Sequence, residues 1–427
     1  MTFKKYMNIK TVFRALRHKN YRLFFSGQSI SLIGTWIQQI AVSWLVYSMT
    51  NSAFLLGLVG FSSQIATFLL APLAGVIADR HHRHRLLIIT QSLAMLQAVI
   101  LYVLYVTHTI AVWHIILLSF FLGAVNAFDI PIRQSFTIDM INDRDDLSNA
   151  IALNSSMVNA ARLIGSSIGG ILIALWGEGT CFLINALSYI AVLFSLVMMT
   201  LPPWKRSMRQ RESVMLQLKE GFSYAFNFMP IRTILMLLSV ISLVSGGVQA
   251  LMPVFARDVF HGGPRSLGLM MAASGFGALT GAIYLAGRKN VLGLGKVIAA
   301  TAAIFGAGVI IFSRTSILWI GMPILLFSGF GMMVQMASSN IILQTIVEED
   351  KRGRVMSFYT MAFMGLSPFG SLFSGFLASR IGANNTLLGG GFLCVIAAIL
   401  FSFQLPKLRS FVRPVYLQKG IIVESVQ

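Results

Sequence analysis

Twelve long apolar runs dominate this sequence, and short gaps between them carry most of its charged residues. Each run is long enough for a helix that crosses a bilayer, which takes about 20 residues. Lipid offers the backbone no hydrogen-bond partner, so such runs must be helices rather than open strands. Barrel strands are short and alternate apolar with polar residues, unlike these continuous runs. The predicted spans are residues 23–48, 54–78, 86–106, 112–133, 149–175, 180–201, 232–256, 266–286, 296–313, 317–341, 355–379 and 385–405.

The composition agrees with an all-α membrane protein and argues against soluble or disordered chains. Only 11% of the residues are charged, against about 25% in soluble proteins. The net charge of +19 would suggest nucleic acid on a soluble chain, but the basic residues lie in the gaps between spans. We therefore expect the lipid bilayer as surroundings and no nucleic-acid partner. Cys181 and Cys394 lie far apart, with no disulfide or metal spacing, and we predict neither a metal site nor a cofactor.

The distribution of Lys and Arg predicts the orientation of the spans. Of the 33 basic residues, 27 fall in, or within one residue of, the segments that are cytoplasmic if the N-terminus is inside. Four fall in the opposite loops: Arg257, Arg265, Arg314 and Arg380. Cytoplasmic loops of membrane proteins are rich in Lys and Arg. We therefore expect a multi-pass protein of the inner (plasma) membrane with both termini in the cytoplasm.

The longest gap divides the chain into two sets of six spans. The predicted organisation is an N-terminal six-helix bundle (1–201), a cytoplasmic linker (202–231), a C-terminal six-helix bundle (232–405) and a cytoplasmic tail (406–427). Residues 214–228 fit either an amphipathic helix on the inner surface or a plain linker. A shift of 206 residues superposes Gly75 on Gly281 and Gly123 on Gly329. This repeat predicts two bundles related by a pseudo-two-fold axis along the membrane normal.

The sharpest motif is the inner loop between spans 2 and 3, Gly75-Val-Ile-Ala-Asp79-Arg80-His-His-Arg83-His-Arg85. Plain positive-inside topology explains its arginines but not a lone Asp among them. The motif resembles the loop motif of the major facilitator superfamily, as do the twelve spans and the long central loop. That resemblance covers nearly the whole chain and implies a transporter. It also implies a gating role for Gly75, Asp79, Arg80, Arg83, Arg85 and Asp129, with Asp79 facing the start of span 11.

Span 5 carries a polar stripe that includes an arginine deep in the membrane. Ser155, Asn159 and Arg162 recur at helical spacing, and Arg162 lies about 20 Å into the helix at 1.5 Å per residue. A charge at that depth is expensive and is a functional-site hypothesis by default. Snorkelling to the surface is the alternative. Arg162 cannot release a proton at physiological pH, so we expect it to bind an anionic substrate.

Two further spans carry polar stripes that the superfamily resemblance assigns to the same cavity. Span 1 contributes Thr35 and Gln38, and span 7 contributes Gln249. Each stripe alone is more often used for hydrogen bonds between helices than for ligand contact. We predict that all three residues line the substrate cavity and keep interhelical hydrogen bonding as the alternative.

The end of span 4 provides a buried carboxylate. Asp129 and Arg133 are four residues apart, share a helix face and can pair. The basic loop residues can also pair with Asp129 or Asp139. Because the spans contain no carboxylate at mid-membrane, we predict that protons pass through Asp129.

Three short strings narrow the resemblance to one branch of the superfamily. They are Asp129-x-Pro-x-Arg-Gln, Asp145-Asp146-Leu-Ser-Asn149-Ala and Arg162-x-x-Gly. Together they resemble the transmembrane secretion effectors, a branch that includes siderophore exporters. The resemblance implies a secondary active exporter of a siderophore or related metabolite, coupled to protons by antiport. A multidrug exporter of the same fold is the alternative, and an importer ranks third.

An enzyme or a receptor fits the sequence less well. The spans contain no nucleophile–base or paired-carboxylate arrangement, and the outer loops are too short for a receptor domain. We therefore predict a transporter that is not an enzyme, has a small-molecule substrate and works as a monomer.

Overall fold

The computed structural model describes residues 13–141, 143–200, 227–288 and 290–419. Within these ranges it leaves out the side chains at 71–72, 75–80, 144–145, 148, 349–350 and 353. The described chain is almost wholly helical and contains no β-strand. The surface helix considered for 214–228 lies outside the described residues, apart from 227 and 228.

Twelve helices of the described chain are long and apolar enough to cross a membrane, as predicted. A single 3₁₀ turn, Arg14–Arg17, precedes them. The helices are α1 (Lys19–Thr50), α2 (Ala53–Arg80), α3 (Arg83–Val106), α4 (Val112–Asp139), α5 (Arg144–Trp176), α6 (Glu178–Val197), α7 (Met229–Val254), α8 (Pro264–Ala286), α9 (Leu294–Arg314), α10 (Leu318–Ile346), α11 (Glu349–Thr360 and Leu366–Ile381) and α12 (Ala383–Gln418). Two π-helical turns extend this set, Phe255–Val259 after α7 and Met361–Gly365 within α11.

The C-terminal tail begins as a continuation of the last span. The sequence places the end of span 12 at residue 405, whereas α12 continues to Gln418. Leu408 and Val412 are both buried and lie four residues apart, so α12 keeps one apolar face beyond the bilayer-length run. The Nζ of Lys419 donates a 2.7 Å hydrogen bond to the carbonyl of Thr345 in α10, which fixes the end of the extension.

The chain divides into two compact units. The first comprises Met1–Ser52, Ser62–Met208 and Ala256–Ala272, and the second Ala53–Phe61, Arg209–Phe255 and Ala273–Gln427. In the first unit, α1 packs against α5 and α6, and α3 packs against α4 and α6. In the second unit, α9 packs against α10 and α12, and α7 packs against α11 and α12. The predicted bundles, 1–201 and 232–405, follow the same order but assign the first turns of α2 and α8 differently.

Each unit contains a crossing where two glycines bring helix backbones together. In the first unit, a Cβ on Gly170 of α5 would lie 3.0 Å from the Cα of Gly268 in α8. In the second unit, a Cβ on Gly375 of α11 would lie 2.9 Å from the Cα of Gly57 in α2. Real Cβ atoms do not fit so close to a backbone. Small residues of this kind let membrane helices approach and pack through van der Waals contact.

Both cysteines are completely buried and free. Cys181 lies in α6 with its thiol 4.0 Å from the carbonyl of Gly169 in α5. Cys394 lies in α12, where it packs against Gly306 of α9. Both side chains thus fill gaps between helices.

The segment before α1 is tied to the start of α5 by a buried carboxylate. Asp146 is 1% exposed and pairs with Arg14, with Arg17 at 2.8 Å and with His18 at 3.0 Å. Three residues later, the side-chain oxygen of Asn149 accepts a 2.9 Å hydrogen bond from the backbone N–H of Ala15. Ion pairs and a hydrogen bond therefore join two segments that are far apart in the sequence, residues 14–18 and 145–149.

The charges around Asp146 set its protonation behaviour. Burial raises the pKa of this carboxyl, but the hydrogen bond from His18 and the charges of Arg17 and Arg14 outweigh it and hold the pKa below its usual value. A carboxyl whose pKa is lower in the folded chain than in the unfolded chain stabilises the fold at neutral pH. That contribution is complete above the unfolded value of about 3.9 and is lost as the pH falls through the folded value.

We predict that Asp146→Asn lowers the melting temperature of the purified protein at pH 7 and speeds trypsin cleavage after Arg14 and Arg17. The amide keeps the shape but removes the negative charge that Arg14 and Arg17 share. The difference from the parent should shrink as the pH approaches 3. The matched control is Asp143→Asn, because Asp143 is half-exposed and pairs with Arg17. Equal effects of the two variants would contradict the role given to Asp146.

Candidate functional site

Arg162 lies on α5 with part of its charged group unused. Its Nε atom is buried and has no hydrogen-bond acceptor among the described residues. The ion pairs of the described chain do not involve Arg162. A buried donor without an acceptor is costly, so it is rarely left without a purpose. The position can therefore accept a negatively charged or hydrogen-bonding guest.

Trp36 of α1 lies next to this guanidinium. The Cζ of Arg162 is 5.3 Å from the centre of the Trp36 ring, within the range of a cation–π interaction. The two helices come close here because α5 has a glycine one turn on, where a Cβ on Gly165 would lie 2.7 Å from the Cβ of Trp36. Trp36 holds the cation without neutralising it, so the charge of Arg162 stays available. Trp36 could not be predicted from the sequence, since one aromatic residue in an apolar span carries no pattern.

The rest of the span 5 stripe follows its predicted face but varies in exposure. Ser155 is exposed, and Asn159 and Arg162 are partly exposed. The amide of Asn159 donates a 2.9 Å hydrogen bond to the backbone carbonyl of Ser155, which leaves its side-chain oxygen available. Ser166 continues the stripe but is completely buried, so the accessible part ends near Arg162.

The span 1 stripe faces other helices rather than the side that carries Trp36. Gln38 is 3% exposed, donates to Gln97 of α3 at 2.9 Å and accepts from Asn185 of α6 at 2.8 Å. Thr35 lies 3.5 Å from the hydroxyl of Tyr189 in α6. The interhelical alternative therefore describes Gln38, which corrects its assignment to the substrate cavity. Thr35 is partly exposed but belongs to the same face.

The span 7 stripe has one residue that is not used in packing. Ser242 is buried and donates to the backbone carbonyl of Phe363, and Ser245 donates to the sulfur of Met332 at 3.0 Å. Gln249 is partly exposed on α7. Its side chain makes no hydrogen bond to another described residue. Gln249 belongs to the second unit, and its place in a cavity stays a prediction.

Asp129 is the centre of a buried polar group in the first unit. It is 4% exposed, and its Oδ1 accepts hydrogen bonds from Thr90 at 2.9 Å and Gln91 at 2.7 Å, both on α3. Its Oδ2 lies 3.5 Å from the Nε of Arg133, which confirms the predicted pairing within α4. Each carboxylate oxygen thus has its own partner. A proton on Oδ2 would remove the charge that attracts Arg133.

The inner loop motif contributes one observed ion pair. The Nη1 of Arg83 lies 3.0 Å from Asp139, which confirms that a basic loop residue pairs with the end of α4. Arg85, two residues further along α3, is exposed. Gly75, Asp79 and Arg80 form the last turns of α2, and their side chains lie outside the description. The predicted contact of Asp79 with the start of span 11 stays a prediction.

A further carboxylate, Asp258, lies at the end of the helical segment that continues α7. The predicted span 7 ends at residue 256, but the helical segment continues through a π-helical turn to Val259. Asp258 therefore belongs to the span and accepts a hydrogen bond from the hydroxyl of Tyr47 in α1. The guanidinium of Arg257 lies 5.8 Å from the centre of the Tyr47 ring. This group joins α1 to the end of α7 within the first unit.

The described residues contain no group of three or more His, Cys, Asp or Glu side chains placed to hold a metal. The inner-loop histidines have other contacts. His84, for example, lies 2.8 Å from the carbonyl of Leu196 in α6.

Comparison with known proteins gives one family over nearly the whole chain. A sequence model described as transmembrane secretion effector matches residues 10–416. The staphyloferrin A transporter of Staphylococcus aureus is 28% identical, covering 91% of this chain and 97% of its own. Macrolide efflux protein A of Streptococcus pyogenes is 21% identical, covering 90% and 96%. The enterobactin exporter EntS of Citrobacter koseri is 24% identical, covering 93% and 94%.

Solved structures agree on the fold. A bacterial homolog to the human lysosomal transporter Spinster, in an inward-facing and unoccupied conformation, superposes with a TM-score of 0.69 at 15% identity. The match covers 92% of this chain and 98% of that one. The twelve helices thus adopt the major facilitator fold. This chain belongs to the transmembrane secretion effector family of the major facilitator superfamily and is a multi-pass membrane transporter, not an enzyme.

Proposed function

We propose that this chain is a secondary active exporter that moves a small anionic molecule of the siderophore class out of the cell. The observation that carries the proposal is Arg162, a cation in a membrane span whose Nε has no acceptor among the described residues. Siderophores commonly offer catecholate or carboxylate groups, and the planar guanidinium binds such groups with two parallel hydrogen bonds. Two of the relatives are described as transporters of siderophores, staphyloferrin A and enterobactin.

The charge bias supports the orientation of the chain in the membrane. With the Lys- and Arg-rich segments in the cytoplasm, both termini lie on the cytoplasmic side of the inner (plasma) membrane. Substrate enters from the cytoplasm and meets Arg162 beside Trp36, with Asn159 and Ser155 on the same face of α5. Gln249 contributes from the second half of the chain. The two six-helix bundles of a monomer then rock about this site so that it opens to the other side.

Proton coupling is assigned to Asp129. In its ionised form, Oδ2 attracts Arg133 across 3.5 Å while Thr90 and Gln91 hold Oδ1. Protonation of Oδ2 removes the attraction and frees Arg133, which changes the packing between α3 and α4. The gating residues Gly75, Asp79, Arg80, Arg83 and Arg85 lie at the same end of these helices. Proton exchange at Asp129 would therefore act on the inner gate.

A multidrug exporter is the second candidate. One relative is described as a macrolide efflux protein, at lower identity than the staphyloferrin A transporter. The two candidates differ in what Arg162 does, since a drug site of broad specificity would not depend on one fixed cation.

We predict that Arg162→Gln reduces export of enterobactin or staphyloferrin A from proteoliposomes by about tenfold or more, the loss expected for hydrogen bonds between charged groups. Arg162→Lys should retain part of the rate, because lysine keeps the charge but not the fork of donors. Erythromycin is the comparison substrate. Arg314→Gln is the matched control, since it removes an exposed arginine from a loop predicted to lie on the side opposite to the cytoplasm. Parental siderophore export by Arg162→Gln would remove the anion site.

We predict that Asp129→Asn abolishes export driven by a pH gradient while downhill efflux of a preloaded substrate continues. Asparagine can still accept from Thr90 and Gln91 but cannot exchange a proton. Transport rates would be measured in proteoliposomes between pH 6 and pH 8. Asp139→Asn removes the partner of Arg83 and should change the rate without removing its pH dependence. An unchanged pH profile in Asp129→Asn would exclude this carboxyl as the proton carrier.

We predict that Asp79→Asn stops transport although the folded protein reaches the membrane. The substitution removes one negative charge from the inner loop motif with little change of volume. Membrane insertion would be measured by the fluorescence of a C-terminal fusion in the membrane fraction. Export would be measured by the proteoliposome assay. Export at the parental rate would argue against an inner gate that depends on Asp79.

A further inference from the structure

An open groove of about 340 Å³ runs between α9 and α12 in the second unit. Small side chains form much of its wall, so neither helix fills the space between them. The lining includes Lys296, Ala299, Ala300, Ala303, Ser402 and Leu405. Large apolar side chains are exposed at this groove: Ile399, which also lines it, is 48% exposed, and Phe403, next to Ser402, is 78% exposed. In a membrane protein such exposed side chains face lipid, so acyl chains have direct access to the groove.

The groove has one charged end. Lys296 lies in the first turn of α9 and lines the groove together with Leu405 of α12. The two helices are close here, because a Cβ added to Gly295 would lie 3.0 Å from the Cδ2 of Leu405. The rest of the lining toward Ala303 is apolar apart from Ser402, whose hydroxyl donates to the backbone carbonyl of Ala398 at 2.9 Å. The groove is therefore an apolar channel with an ammonium group at its cytoplasmic end.

More cations follow on the helical extension of α12. Lys407, Arg409 and Arg413 are exposed and lie on the cytoplasmic side of Leu405. Among the described residues, the side chains of these three and of Lys296 make no ion pair or hydrogen bond. Glu348, a carboxylate on the same side of this unit, is already paired with Lys351 at 2.6 Å. The positive charge near the groove is thus left for a ligand from outside the chain.

We propose that the α9–α12 groove binds an anionic phospholipid of the inner leaflet. One acyl chain lies along Ala299, Ala300 and Ala303, and the phosphate is held by Lys296 with the basic residues of the α12 extension nearby. The position supports a lipid rather than the transported molecule, because the groove opens toward the surrounding bilayer. Basic residues at the cytoplasmic surface attract anionic headgroups, and each contributes about 1 kcal/mol, or about fivefold in affinity. This inference does not depend on the identity of the exported substrate.

The test is native mass spectrometry of the purified full-length protein in detergent, titrated with phosphatidylglycerol and with phosphatidylcholine of the same acyl chains. We expect the parent to bind phosphatidylglycerol more tightly. Lys296→Gln should weaken phosphatidylglycerol binding about fivefold and leave phosphatidylcholine unchanged. Ala300 is exposed and lines the groove, so the larger side chain of Ala300→Leu should fill the groove and weaken the binding of both lipids. Lys19→Gln is the control, an exposed lysine on the same membrane face outside the groove.

Three outcomes would overturn the proposal. The parent shows no preference for phosphatidylglycerol, Lys296→Gln binds it like the parent, or Lys19→Gln weakens binding as much as Lys296→Gln does. The last result would mean general attraction to a basic surface. The melting temperature of each variant, measured in detergent alone, separates lost lipid binding from lost folding. Transport assays play no part in the readout, so failure here and failure of the proposed export function are distinguishable.

Discussion

Hydrocarbon supplies no hydrogen bonds, and every polar group within the spans has to be satisfied from inside the protein. The described residues meet most of this demand with helices whose polar side chains bond to one another, although buried oxygens of Ser166, Gln335 and Ser338 have no hydrogen-bond partner. Gln38 is held between Gln97 and Asn185, and Asp129 has separate partners for its two oxygens. Close packing completes the arrangement, since glycine crossings let backbones touch where side chains would separate them. A charged group that breaks this rule is therefore informative.

Arg162 breaks the rule in a specific way. An aromatic ring supports its charge, but its Nε has no acceptor among the described residues. Cation–π contact stabilises a cation without cancelling it, unlike a carboxylate, which would close the site to an anionic guest. Asp129 shows the opposite case, a charge with a full set of partners, which suits a group that changes state rather than one that binds substrate. Under the proposed function, substrate binding falls to Arg162 on α5 and proton exchange to Asp129 on α4.

The sequence was enough for the helices and for pairs that lie close along the chain. Apolar runs long enough for a bilayer predict spans, and the spacing of Asp129 and Arg133 predicts their pairing, because helical geometry is local. The sequence alone does not predict whether a polar stripe on a helix faces a cavity or a neighbouring helix. Gln38 has the same pattern as a cavity residue, and only its contacts with two other helices identify its role. Trp36 was missed for the same reason, since its importance comes from Gly165 on another helix. The extension of α12 to Gln418 could not be predicted either, because it depends on the burial of Leu408 and Val412 against the rest of the protein.

The burial of both thiols has a practical consequence. Cys181 and Cys394 are fully enclosed between helices, so maleimide and methanethiosulfonate reagents have no access to them in the folded protein. Single cysteines can therefore be introduced on the native background, without the compromise of first replacing Cys181 and Cys394. Spin labels or fluorophores attached in pairs at the two ends of the spans would then report distances during turnover from an otherwise unaltered transporter.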